Sequence, residues 1–362
     1  MKIAVLMGGI SGERDVSLAS GMQVLRALRE AGHEVVGVDT SHGVLSAGDE
    51  EELLASEIHH PKPAALAHDM LRTGDVGLLA NDPRTAGVDL VFPALHGGGG
   101  EDGTIQTLLQ VAGIPFVGSG PVGCALAMDK DLSKRLARDA GIPTPAWITV
   151  EGREDGISRR EEVLDRLGLP LIVKPPCGGS TLGLTLIHDE SGFREALALC
   201  LEYDDRAMFE KYVRGRELTV GILGSEALPV GEIIPEREIF DYDCKYRPGM
   251  AEEIFPADLP PDVARQAQDA AAVAHWVLRL RDFSRVDFIL GRDGVPWVLE
   301  ANSLPGLTAN SLLPKAGRAA GIPFPELCHQ LAVMALRRGG GLQRDAEGDL
   351  LAARNPRVAE GV

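Results

Sequence analysis

Ser284-Arg285-Val286-Asp287-Phe288-Ile289-Leu290 and Val295-Pro296-Trp297-Val298-Leu299-Glu300-Ala301-Asn302 both alternate, and Asp293-Gly294 lies between them. Asp-Gly between alternating runs is the strongest short hairpin signal. With those two residues at the centre of the turn, Arg292 faces Val295, Leu290 faces Trp297, Asp287 faces Glu300 and Arg285 faces Asn302. One face then carries Val286, Phe288, Leu290, Trp297, Leu299 and Ala301; the other carries Arg285, Asp287, Glu300 and Asn302. Like charges directly opposite on a sheet are destabilising, so carboxylates at 287 and 300 suit a shared cation. The donors are hard oxygens without His or Cys, which points to Mg²⁺ or Mn²⁺. The competing reading is a solvent-exposed polar face partly neutralised by Arg285.

Downstream, Ser303-Leu304-Pro305-Gly306-Leu307-Thr308 reads as a turn whose backbone N–H groups can face an anion, and Ser311 opens a further polar segment. Upstream, residues 2–7 read as a buried strand, Val16 to Ala31 as a helix, Glu34–Asp39 and Val88–Pro93 as strands, and Ile114–Val117 as a further strand. This alternation predicts a doubly wound parallel sheet, the α/β unit of residues 1–122. From Asp129 the pattern changes to a small α+β unit, 123–215, and then to a unit of long strands, 216–338. Residues 339–362, rich in glycine and charge, are expected to form a flexible tail.

The glycine-rich loops separate several nucleotide-binding classes. Gly118-Ser119-Gly120-Pro121-Val122-Gly123 matches G-x-G-x-x-G, but a dinucleotide site also needs an acidic residue at a strand end about twenty residues on. Asp139 lies inside a helical run instead, so a domain-edge turn is expected. No Gly-Lys dipeptide exists, which excludes a Walker A loop. His96-Gly97-Gly98-Gly99 is like an esterase oxyanion loop, yet no serine sits in a G-x-S-x-G frame, so a carboxylesterase is a remote alternative. In Lys174-Pro175-Pro176-Cys177-Gly178-Gly179-Ser180-Thr181-Leu182-Gly183 a strand delivers a lysine into a Gly/Ser loop, the chemistry of a flap over phosphates. A plain hairpin turn is the rival reading. Glu210-Lys211-Tyr212-Val213 ends a strand, and Glu217 follows.

The net charge is −17, which argues against a nucleic-acid partner, and only eight residues are lysine. Basic groups at a site must therefore be local. The N-terminal apolar run is too short for a signal peptide and none is long enough to span a membrane, so no membrane association is expected. The five cysteines are widely spaced with no C-x-x-C, as in a reducing cytoplasm.

Together these motifs resemble the ATP-grasp superfamily, and within it the D-alanine–D-alanine ligase family, over about residues 1–336. The ordered set is Gly8-Gly9 with Ser11, Glu13, Arg14, Val16 and Ser17; Leu95-His96-Gly97 through Gly100-Glu101-Asp102-Gly103; Met128-Asp129-Lys130; Val173-Lys174-Pro175; Glu210-Lys211; Asp241-Tyr242 with Lys245-Tyr246; Arg285-Val286-Asp287; and Glu300-Ala301-Asn302. The resemblance implies an N-terminal substrate-binding α/β domain before a two-domain ATP-grasp fold. It also implies a cytoplasmic enzyme, a homodimer, that phosphorylates one D-alanine with ATP and joins it to a second for peptidoglycan synthesis.

By the same resemblance, Asp287, Glu300 and Asn302 hold two Mg²⁺ or Mn²⁺ ions. Lys130, Lys174, Lys211 and Lys245 contact the nucleotide, Glu210 and Val213 read the adenine, and Glu217 binds the ribose. Glu13, with His96 nearby, binds the first D-alanine. Ser180 and Tyr246 latch the loops shut with Glu13. Arg285 and the Gly306 amide stabilise the oxyanion, and Ser311 and the Leu312 amide hold the second carboxylate. Phe240 stands where the family often has tyrosine, and the 176–179 loop lacks a charge common there. Lys245-Tyr246 resembles the dipeptide-forming branch; D-lactate or D-serine as second substrate is the alternative.

Overall fold

A computed structural model describes residues 1–55, 82–179, 181–236 and 249–339. Ser180, Lys245, Tyr246, Phe240, Asp241 and the tail beyond 339 lie outside the described residues. Among those described, strands form three sheets. In the first, β1 (Lys2–Met7) is central, pairing in parallel with β2 (Glu34–Asp39) and β4 (Leu90–Pro93), while β3 (Gly43–Val44) adds an antiparallel edge. The β1 run Ile3 to Met7 is buried throughout, as a strand covered on both faces must be. Residues 114–117 form no named strand; Phe116 makes an isolated parallel bridge to Val91. The apolar run is real, but it meets the sheet for one residue only.

The second sheet is antiparallel, in the order β5 (Trp147–Glu151), β8 (Arg206–Lys211), β6 (Leu171–Lys174), β7 (Thr185–Ile187). The third is a six-stranded sheet ordered β12 (Ala251–Ile254), β11 (Gly231–Pro235), β9 (Gly215–Leu223), β13 (Phe283–Gly291), β14 (Pro296–Asn302), with β10 (Glu226–Ala227) on β9. Long connections to the first sheet's core come from the far end of the chain. Leu304, Leu307, Leu313, Leu327 and Leu331 pack in one apolar cluster with Ile3, Leu25 and Phe92. The 118–123 glycine loop is a junction, as expected of a domain-edge turn: Gly118 N donates to Asp282 Oδ2 (2.7 Å) and Arg281 N to Ser119 Oγ (3.1 Å).

The hairpin keeps the expected pairing at its functional end and departs from it near the turn. Asp287 lies opposite Glu300 and Arg285 opposite Asn302, but Phe288 pairs with Val298, Ile289 with Trp297 and Leu290 with Pro296. Gly291 N donates to Val295 O, so the loop has three residues with Gly294 at φ +78. Leu299 is the extra residue of a β-bulge that restores the register. Its cause lies outside the hairpin: Val298 N donates to Pro143 O and Val298 O accepts from Thr144 Oγ1, so the linker covers this edge strand. Leu299 and Trp297 therefore leave the apolar face, and Val298 takes the buried place beside Phe288.

Candidate active site

A cavity of about 330 Å³ lies between the second and third sheets. Lys130, Lys174, Glu210, Lys211, Val213, Glu217, Arg285, Asp287, Glu300 and Leu312 line it, ten of the residues singled out from sequence. Lys174 ends the buried strand β6 and Glu210 stands one strand away on β8. Lys130 is the first residue of α5 (Lys130–Asp139) in the helix order α1 (Arg14–Glu30), α2 (Ala47–Ala55), α3 (Thr104–Val111), α4 (Pro121–Met128). Asp129 caps α5 by accepting from Leu132 N.

The glycine loop is docked on that helix end. Lys130 N donates to Pro176 O and Lys130 Nζ to Gly178 O at 2.6 Å. The same ammonium lies 3.1 Å from Glu300 Oε2, so Lys130 joins the loop to the hairpin. On the other strand, Asp287 accepts from Arg285 Nε (2.9 Å) and Nη2 (2.8 Å), Thr219 Oγ1 (2.7 Å) and Asn302 Nδ2 (3.0 Å). Each of the two opposed carboxylates thus has a cation of the chain beside it, so the pair alone does not require a metal. The donor set still fits Mg²⁺ or Mn²⁺. It offers two carboxylates and an amide on one sheet face, few enough for an ion that keeps waters and substrate phosphates. No cluster of three His, Cys, Asp or Glu able to hold a metal exists among the described residues.

Sequence reading missed Lys134. One turn along α5 from Lys130, it is 1% exposed and donates to Glu210 Oε2 (2.5 Å) and Thr144 Oγ1 (2.6 Å). Lys174 Nζ holds the other oxygen of Glu210 at 2.7 Å. Burial pushes the Lys134 ammonium down to about 8, against the pull of Glu210. Burial would raise Glu210, but Lys134 and Lys174 outweigh it and hold the carboxyl below its usual range. The signal was available: lysine is scarce, and positions 130 and 134 share one helix face.

A second group lies where α1 begins. Glu13 occupies the N-cap position of α1 but makes no side-chain capping bond. Its carboxylate instead reaches the glycine loops: a Cβ on Gly97 would sit 2.9 Å from Glu13 Oε2, and one on Gly179 4.0 Å from it. Gly97 also has φ +73, so both its backbone and its neighbour exclude a side chain. His96 is buried and held on both ring nitrogens, by Ser20 Oγ (2.9 Å) and Glu101 Oε1 (3.3 Å). Ser11 Oγ donates to His96 O at 2.6 Å. Arg14 grips Asp39 with Nη1 on Oδ1 and Nη2 on Oδ2, and donates to Gly9 O, fixing the turn that carries Glu13. Ser311 begins the helix Leu312–Ala319 and contacts Thr308 Oγ1 (2.8 Å); a Cβ on Gly306 would lie 2.9 Å from its hydroxyl. Gly306, Ser311 and the Leu312 amide are thus neighbours at a helix N-terminus, a setting that suits an anion.

Family models for the D-Ala-D-Ala ligase N-terminus and C-terminus match residues 2–119 and 136–333. The chain belongs to the D-alanine–D-alanine ligase family. A D-alanine–D-alanine ligase of Moorella thermoacetica is 39% identical over 342 residues, 93% of this chain and 99% of that one. The Bacillus anthracis D-alanine–D-alanine ligase solved with ATP has TM-score 0.75 at 31% identity, covering 94% of this chain and 98% of that one. The Coxiella burnetii D-alanine–D-alanine ligase structure has TM-score 0.77 at 31% identity, covering 94% of each chain. The fold is accordingly the mixed α/β ATP-grasp architecture of this ligase family.

Proposed function

We propose that the chain is an ATP-dependent ligase that joins two D-alanine molecules at this cavity. The observation that carries it is the meeting of three parts. Lys130 and Lys174 line one wall, the Arg285–Asp287 and Glu300 hairpin the other, and Glu13 reaches between Gly97 and Gly179. Phosphoryl transfer needs positioning and charge neutralisation more than covalent help, and this wall supplies both. Lys130, Lys174 and Lys211, with Lys245, bind the nucleotide; Glu210 and Val213 meet the base and Glu217 the ribose. Two Mg²⁺ or Mn²⁺ ions would be held by Asp287, Glu300 and Asn302 and would neutralise the transferring phosphoryl group.

A carboxylate oxygen of the first D-alanine attacks the γ-phosphorus and ADP departs. The amine of the second D-alanine attacks the acyl carbon, loses a proton, and inorganic phosphate leaves as the peptide bond forms. Glu13, supported by His96, holds the ammonium of the first substrate. Ser311 and the Leu312 amide hold the carboxylate of the second. Arg285, its plane set by Asp287, and the Gly306 amide stabilise the oxyanion. Ser180 and Tyr246 close over the site with Glu13, keeping water from the acyl phosphate. No described helix is long and apolar enough to cross a membrane. A cytoplasmic homodimer with units at 1–122, 123–215 and 216–338 completes the proposal.

Glu13→Gln separates the two halves of the site. It is expected to raise KM for D-alanine about tenfold, the value of one hydrogen bond between charged groups, with KM for ATP nearly unchanged. Equal changes in both constants in steady-state assays would contradict the placement of Glu13.

A further inference from the structure

Lys134 does not line the cavity; it stands behind its wall with every contact inside the protein. Its ammonium meets Glu210 Oε2, Thr144 Oγ1 and, at 5.0 Å, the face of the Trp147 ring. Burying an ammonium is expensive unless it is paired and hydrogen-bonded, so such a lysine has to repay its desolvation in what it holds. What it holds is Glu210, which lines the cavity at the start of the 211–213 segment. Lys174 alone would bind one carboxylate oxygen and leave the other buried without a partner, able to rotate or take up a proton. With Lys134 on Oε2 and Lys174 on Oε1, the carboxylate is fixed in plane and ionised. An ionised carboxylate accepts hydrogen bonds and donates none.

We propose that Lys134 is a positioning residue that sets the base preference of the nucleotide site. By holding Glu210 as an acceptor-only group, it favours a 6-aminopurine, which donates there, over a 6-oxopurine, which does not. The inference rests on the proposed placement of the adenine against Glu210. Thr144 extends the arrangement to the hairpin, because its hydroxyl accepts from Lys134 and donates to Val298 O beside the Leu299 bulge. The residue that fixes the base-reading carboxylate is thereby tied to the strand that carries Glu300.

The test compares kcat/KM for ATP and inosine triphosphate at saturating D-alanine in the full-length wild type and Lys134→Met. The ATP preference should fall about tenfold or more, the value of a hydrogen bond to a charged group, through a higher KM for ATP. KM for D-alanine should stay unchanged. A merely structural lysine would lower both nucleotides alike, so an unchanged ratio overturns the proposal. Should Lys134→Met fail to fold, Thr144→Val removes a partner of the ammonium outside the cavity. That variant should lower the ratio about threefold, part of the same hydrogen-bond value, and an unchanged ratio again overturns the proposal. Glu210→Gln serves as the control for the underlying placement. If it leaves the ratio at the wild-type value, Glu210 does not face the base, and the placement falls together with the inference; a wild type inactive with ATP would refute the ligase reading itself.

Discussion

Replacing Glu300 with glutamine removes one charge from the hairpin and almost no volume. In the fold, the Glu300 side chain is 25% exposed and pairs with the Lys130 ammonium at 3.1 Å. A partly exposed pair of this kind contributes up to about 1 kcal/mol, so the melting temperature should drop by about 2 °C. The reaction should suffer far more. Glu300 shares the hairpin face with Asp287 and Asn302, where the proposed function puts the charge of the transferring phosphoryl group. Loss of one preorganised electrostatic group at such a place costs about two to three orders of magnitude in turnover. The assay is phosphate release at saturating ATP, Mg²⁺ and D-alanine, with a thermal melt of the same preparation. Turnover near wild type would remove Glu300 from the phosphoryl-transfer site. A large loss of melting temperature accompanying the fall would show that the residue serves folding instead.

Two further predictions concern the scaffold. Gly215→Ala should cost about 3 kcal/mol of stability in denaturant unfolding, since a Cβ there would lie 2.0 Å from the Leu290 backbone carbonyl, which cannot move as a side chain can; a change within 0.5 kcal/mol would show the β9–β13 approach to be looser. His275 is buried against Ser284 Oγ at 2.7 Å, and burial holds its ring down to about 4. The unfolded chain takes up a proton near pH 6.5 and the folded one only near 4. Stability therefore declines as pH falls between those values, by about 3 kcal/mol from this residue. Unfolding free energies measured from pH 7 to 4 should flatten in His275→Gln by that amount, and an unchanged slope would assign the decline elsewhere.

Much of this site could be read from the sequence because its parts are local. Asp293-Gly294 and two alternating runs placed Asp287 opposite Glu300, and that pairing stands. The route to it did not. The turn is one residue longer than expected, and the bulge at Leu299 compensates. That bulge depends on Pro143 and Thr144, about 150 residues upstream, and no strand-by-strand pattern reports such a contact. Lys134 escaped for a similar reason. Helical spacing puts it on the Lys130 face of α5, but only the tertiary fold brings Glu210 and Thr144 to it. Glu13 was legible only through the family resemblance, because its reach to Gly97 and Gly179 comes from loops far apart in the sequence. The stretch 114–117 has the apolar content of a strand, but among the described residues it bridges only to Val91.

The most direct test is to incubate the purified chain with ATP, Mg²⁺ and D-alanine and to follow phosphate release together with the mass of the product. The account predicts one phosphate and one ADP for each D-alanyl-D-alanine formed, and no turnover without D-alanine. ATP hydrolysis with no dipeptide, or no ADP formed when D-alanine is present, would contradict it.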